Sequence, residues 1–120
     1  MITEATPQDY LLFFRSTVWD RGMSRDEIDR IMSQLSSWFD NLDAKGMTDG
    51  GMRLSVEGRI VRHHKGRFVS DGPFMESKEA IAGYVHLRAH GMEEAVAIAQ
   101  SWPGLAHGLT IEVRPVVPAT

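Results

Sequence analysis

"DYLLFFRST" (residues 9–17) is the stretch whose reading decides the architecture. Five consecutive apolar residues, Tyr10 to Phe14, leave neither alternating face of a strand polar. Such a run suits a central strand buried on two sides. A central strand needs neighbours, and the rest of the chain supplies them.

Ser24 followed three residues later by Glu27 forms a capping box, with Asp26 also in the first turn, so a helix starts there. Ile28, Ile31, Met32, Leu35, Trp38 or Phe39, and Leu42 recur at helical spacing and mark its buried stripe. Lys45 and Gly46 provide a stop. "TDGGMRLSVEGR" reads as loop with a short strand at most, and "RIVRHHKGRFVS" as a hairpin around Lys65-Gly66. Ile81–Ala89 alternates: Val85, Leu87 and Ala89 face one way, Tyr84, His86 and Arg88 the other. Met92, Ala95, Val96 and Ala99 outline a second helix stopped by Pro103-Gly104. "LTIEVRPVV" closes the chain as a strand, with Ile111 and Val113 opposed to Thr110, Glu112 and Arg114.

Strand, helix, strands, helix, strand, with no linker and no low-complexity tract, predicts one α+β domain over residues 1–120. Two βαβ-like halves with both helices on one side of an antiparallel sheet make a ferredoxin-like sandwich. Tyr84, His86, Arg88, Thr110, Glu112 and Arg114 then fall on the face away from the helices. A second subunit over that face would enclose a polar-lined cavity.

Composition narrows the function classes. Apolar residues make up 42% and charged residues 24%, an ordinary globular balance. The net charge is -3 and the 13 basic residues are scattered, which argues against nucleic acid as a partner. There is no cysteine, hence no disulfide framework and no thiolate metal site, and a reducing cytoplasm is the expected location. Glu4 and Asp9 stand where a signal peptide would carry positive charge, and the nearby apolar run is too short to span a bilayer.

"DGPFMESKEAIAGY" (Asp71–Tyr84), taken with "IEVRPV" (Ile111–Val116), resembles the YCII-related family and, within it, the DGPF subgroup. The likeness covers nearly the whole chain in element order. It implies a dimeric α/β barrel, made when two ferredoxin-like sheets pack face to face. The wider barrel superfamily includes isomerases, monooxygenases and ligand-binding modules, so the fold alone selects no activity. Some relatives are proposed to use a His–Asp pair whose histidine lies on the first helix. Here that helix, "SRDEIDRIMSQLSSWFDNLDAKG", has no histidine, so the pair is not carried over. Other DGPF relatives occur beside alternative sigma factors, which implies a regulatory role for some members.

The candidate residues follow from these two lines of reasoning. His86 shares the open face with Tyr84 and Arg114, and imidazole is suited to proton transfer near neutral pH. His107, in the turn before the last strand, is a second candidate at the cavity mouth. Asp71 cannot accept from the backbone two residues on, because Pro73 has no N–H. It is therefore either a turn clamp or an acid at the cavity rim. Glu76 and Lys78 are either a solvated turn or ligand contacts, and Phe74 is an apolar plug for the same loop.

No metal and no cofactor is expected. His86 and His90 lie four apart, but His86 is read on a strand and His90 at its exit rather than on a helix, and the adjacent His63 and His64 point to opposite faces. The leading expectation is a homodimer binding a small polar or aromatic molecule, with isomerase- or lyase-type proton transfer as the chemistry if it is catalytic. The alternatives are a metabolite-sensing accessory module and a structural dimer without ligand.

Overall fold

A computed structural model of the chain describes residues 6–15, 22–55, 58–71 and 81–118. Four strands form the main sheet: β1 (Gln8–Arg15), β2 (Gly50–Arg53), β5 (Ile81–Ala89) and β6 (Thr110–Pro115). Their order across the sheet is β2-β5-β1-β6, and every neighbouring pair is antiparallel. The hairpin of β3 (Ile60–His64) and β4 (Arg67–Asp71) is a separate two-stranded sheet. Helices α1 (Arg25–Ala44) and α2 (Met92–Gln100) complete the α+β chain, with a 3-10 helix at Pro103–His107.

The apolar run of β1 does occupy the centre, between β5 and β6. Tyr10, Leu12 and Phe14 point into the core, opposite Leu87, Val85 and Ile111 of the flanking strands. Leu12 and Leu87 are wholly buried. Each such side chain contributes roughly 1.5–3 kcal/mol through loss of apolar surface to water. Ile31, Leu35 and Leu42 of α1 close the same core with Ala95 and Ala99 of α2. Phe14 anchors an aromatic group, with its ring centroid 4.4 Å from Trp102 and 6.1 Å from Phe39.

Local chemistry fixes the ends of α1. The Ser24 side chain accepts from the Glu27 N–H at 3.1 Å, as its capping position requires. At the other end Gly46 takes φ 70°, a region closed to most side chains. The Gly46 and Met47 N–H groups then reach back to Asp43 and Leu42, a Schellman closure. In the β3–β4 turn, Lys65 (φ 50°) and Gly66 (φ 79°) both adopt positive φ, the form a two-residue hairpin favours.

Two details depart from expectation. On α2 the buried face is Ala95 and Ala99 with Ile98 beside them, while Met92 and Val96 stay exposed. Successive helical residues are 100° apart, so Val96 is rotated off the stripe that Ala95 defines. Pro103-Gly104 does not only stop α2; it opens the 3-10 helix. A Cβ on Gly104 would lie 2.6 Å from the Trp102 ring, so only glycine allows this turn to press against the core.

Candidate functional site on the open face of the sheet

Antiparallel register sets out the face opposite the helices as rows of side chains. Arg114, Leu11, His86 and Gly50 form one row across the four strands. Glu112, Phe13, Tyr84 and Met52 form the next. Asp9 and Arg88 lie opposite each other one step further along β1 and β5. Leu11, Phe13 and Tyr84 are half-buried although no helix covers them. They make an apolar strip with charged groups at both ends.

At one end, His86 stands between two carboxylates. Its Nε2 lies 2.7 Å from Asp9 Oδ1, and its Nδ1 lies 3.6 Å from Asp49 Oδ2. A carboxylate only accepts, so the shared proton of the shorter contact sits on Nε2. Nδ1 is shielded from solvent and has no hydrogen-bond partner among the described residues. Arg88 holds Asp49 through both guanidinium nitrogens: Nη2 donates to Oδ1 at 2.6 Å and Nη1 to Oδ2. That bidentate pair keeps the Asp49 carboxyl below the usual carboxylate range, and Asp49 in turn raises the Arg88 guanidinium.

Thr48, the one buried polar residue among those described, ties this end together. Its hydroxyl donates to the His86 carbonyl at 2.6 Å and accepts from the Gly50 N–H at 2.9 Å. The residue that leads into β2 is thereby pinned to β5 beside His86, and Asp49 is held next to the ring. At the other end of the face, Arg15 Nη1 donates to Glu112 Oε1 at 2.6 Å, and Arg114 Nε lies 3.6 Å from Glu112 Oε2.

The arrangement can exchange a proton. The Asp9 side chain is 55% exposed and that of His86 only 22%. Asp9 is therefore the group that a ligand would meet, with the imidazole behind it. One further proton can rest on the outer oxygen of Asp9 or on Nδ1 of His86. In the second case Asp49, already ionised, balances the imidazolium.

Of the residues singled out by sequence, His86, Tyr84 and Arg114 share this face. His107 does not join them. It lies in the 3-10 helix that packs against α1, the layer on the other side of the sheet. Asp71 is the last residue of β4 and pairs through its backbone with Ile60; its side chain is outside the described set. Phe74, Glu76 and Lys78 lie outside the described residues.

Sequence reasoning missed Asp9 and Asp49. Strand parity places Asp9 on the face of Leu11 and Phe13, so that signal was present. Asp49 sits in the irregular connection between α1 and β2, and only the Thr48 hydrogen bonds reveal its place. A His–Asp pair is thus present, but strands supply it rather than the first helix. Among the described residues no three His, Asp or Glu side chains cluster as a metal site. A cleft of about 650 Å³ opens beside β2 between α1 and the sheet, and Thr48 and Asp49 of the polar group stand among its lining residues.

The family model of the YCII-related domain matches residues 11–120. No curated protein matches the chain.

Proposed function

We propose, for a chain that belongs to the YCII-related family, that two copies bring their open sheet faces together around a small polar or aromatic ligand. The strand order β2-β5-β1-β6, with a helix after β1 and another after β5, supports a ferredoxin-like sandwich as the unit that pairs. The apolar strip of Leu11, Phe13 and Tyr84 would form the floor of the cavity. Arg114 and His86 flank Leu11 across two strand spacings, about 10 Å. A ligand lying over Leu11 therefore reaches an acid–base group at one end and a cation at the other.

The observation that carries this reading is the imidazole set between Asp9 and Asp49 on a face the helices leave bare. Proton transfer to or from a carbon or oxygen acid, as in an isomerase or lyase, is the chemistry such a group performs. Asp9 meets the ligand, and His86 orients Asp9 and stores the proton.

A second reading is a structural dimer without ligand. The internal pairing of Asp49 with Arg88 and of Arg15 with Glu112 favours it, because charges already compensated can be covered at lower cost. Chemical-shift mapping with a panel of aromatic and carboxylate metabolites separates the two. Binding would move the Leu11, Tyr84 and His86 signals, and His86→Gln would abolish the shifts while keeping the spectrum of a folded chain. Shifts confined to other residues, or none with any compound, would leave the structural dimer.

A further inference from the structure

The hairpin β3–β4 is the part of the chain that the open-face reading does not use. Among the described residues it packs closely against no other element, and every described side chain in it is exposed. The hairpin is thus an arm, about 16 Å long at the rise of a five-residue strand. Two strands alone are at best marginally stable in water. A fixed arm needs a surface to lie on.

Its two faces differ. Register places Val61, His63 and Phe68 on one side, with the His63 and Phe68 rings 5.2 Å apart. Phe68 is 82% exposed and Val61 65%, an apolar face turned to solvent. Charge sets the arm apart as well. Residues 58–71 hold Arg59, Arg62, Lys65 and Arg67, four of the chain's 13 basic residues, and a single one of its 16 acidic ones, Asp71. The remainder is left with nine basic residues against fifteen acidic.

The helix-side cleft has the complementary character. Met32, Leu35, Phe39 and Trp102 line it, and Asp40 and Asp43 of α1 stand among the lining residues. It opens beside β2, an edge strand, and Leu54 and Ala82, where the chain leaves and re-enters the sheet around the arm, also line it. The cleft therefore borders the points at which the segment carrying the arm leaves and re-enters the sheet. Adjacent donor and acceptor surfaces on one chain suit a two-fold exchange, in which each copy gives its arm and receives the other's.

We propose that the β3–β4 arm of one copy seats its Val61–Phe68 face in the α1–β2 cleft of a second copy, with Arg59 at the base of the arm and Lys65 in its turn meeting Asp40 and Asp43 of α1. The α1 wall of the cleft, where Ser36 stands, lies on the helix side of the sheet, so a contact there is read separately from any pairing of the open faces around Leu11.

The absence of cysteine makes disulfide trapping direct. Three single-cysteine variants are needed: Val61→Cys on the arm, Ser36→Cys in the cleft, and Leu11→Cys on the open face. Mixed under mild oxidation, Val61→Cys and Ser36→Cys are expected to give a covalent dimer of twice the chain mass. Val61→Cys with Leu11→Cys is expected to give several-fold less. Adding Phe68→Asp to the arm variant is expected to suppress the first product. No Val61–Ser36 product, or equal yields from the two mixtures, would overturn the proposal. So would a Val61→Cys, Ser36→Cys double variant that closes only within its own chain when diluted into excess cysteine-free protein.

Discussion

Replacing Thr48 by Val tests how the polar end of the open face is held. The two side chains have nearly the same shape, so the change removes a hydroxyl and little else. That hydroxyl serves the His86 carbonyl at 2.6 Å and the Gly50 N–H at 2.9 Å, in a residue only 8% exposed. Leaving these part-buried backbone groups without their partner costs up to about 1–3 kcal/mol. Unfolding entropy of about 2.1 cal/mol/K per residue makes each kcal/mol worth about 4 °C in a chain of this length. The melting temperature should therefore fall by roughly 4–12 °C. Differential scanning calorimetry reads the fall, and chemical shifts of the His86 ring report whether Asp49 has moved. A variant that melts within 1 °C of wild type, with unchanged His86 shifts, would refute the claim that Thr48 fixes this corner.

Three other outcomes follow from the same structure. Arg88→Gln should destabilise the chain at neutral pH but not in strong acid. Asp49 has a folded-state pKa below its ordinary 3.8, so its contribution is complete above that value and disappears as pH falls through the folded one. Urea midpoints of wild type and variant should therefore converge as pH is lowered from 7 towards 2; a constant gap would contradict the pairing. Leu12→Ala, at a position with 0% exposure, should cost about 2–5 kcal/mol in urea unfolding, and a loss under 1 kcal/mol would mean that the core is not where we place it. Ser24→Ala should cost about 0.5–2 kcal/mol by removing the cap on the Glu27 N–H, with helicity by circular dichroism otherwise kept.

Elements governed by local chemistry were legible in the sequence. The Ser24 cap, the Gly46 stop and the Lys65-Gly66 turn each depend on a few neighbouring residues, and each stands where the sequence put it. Alternation in Ile81–Ala89 sorted Val85 and Leu87 from Tyr84 and His86 because a strand has only two faces. Features made by residues far apart in the chain were not legible. Asp9 and His86 are 77 positions apart and meet only through the pairing of β1 with β5. The separation of β3–β4 from the main sheet was not legible in its strand pattern, since a free hairpin and a sheet hairpin share the same turn and the same alternation. His107 was read as part of the turn before the last strand, and that turn is a 3-10 helix packed against α1 and β6, a feature that a loop of the same composition would not show in sequence.

The central claim is that a second copy covers the open face around Leu11, Phe13 and Tyr84. Solvent paramagnetic relaxation of methyl groups tests it most directly, with Leu12 as the buried reference and Val117, 87% exposed, as the free one. At micromolar and higher concentrations, the Leu11 methyls are expected to relax nearly as slowly as those of Leu12. Relaxation of Leu11 approaching that of Val117 would show the face bare in solution and contradict the account.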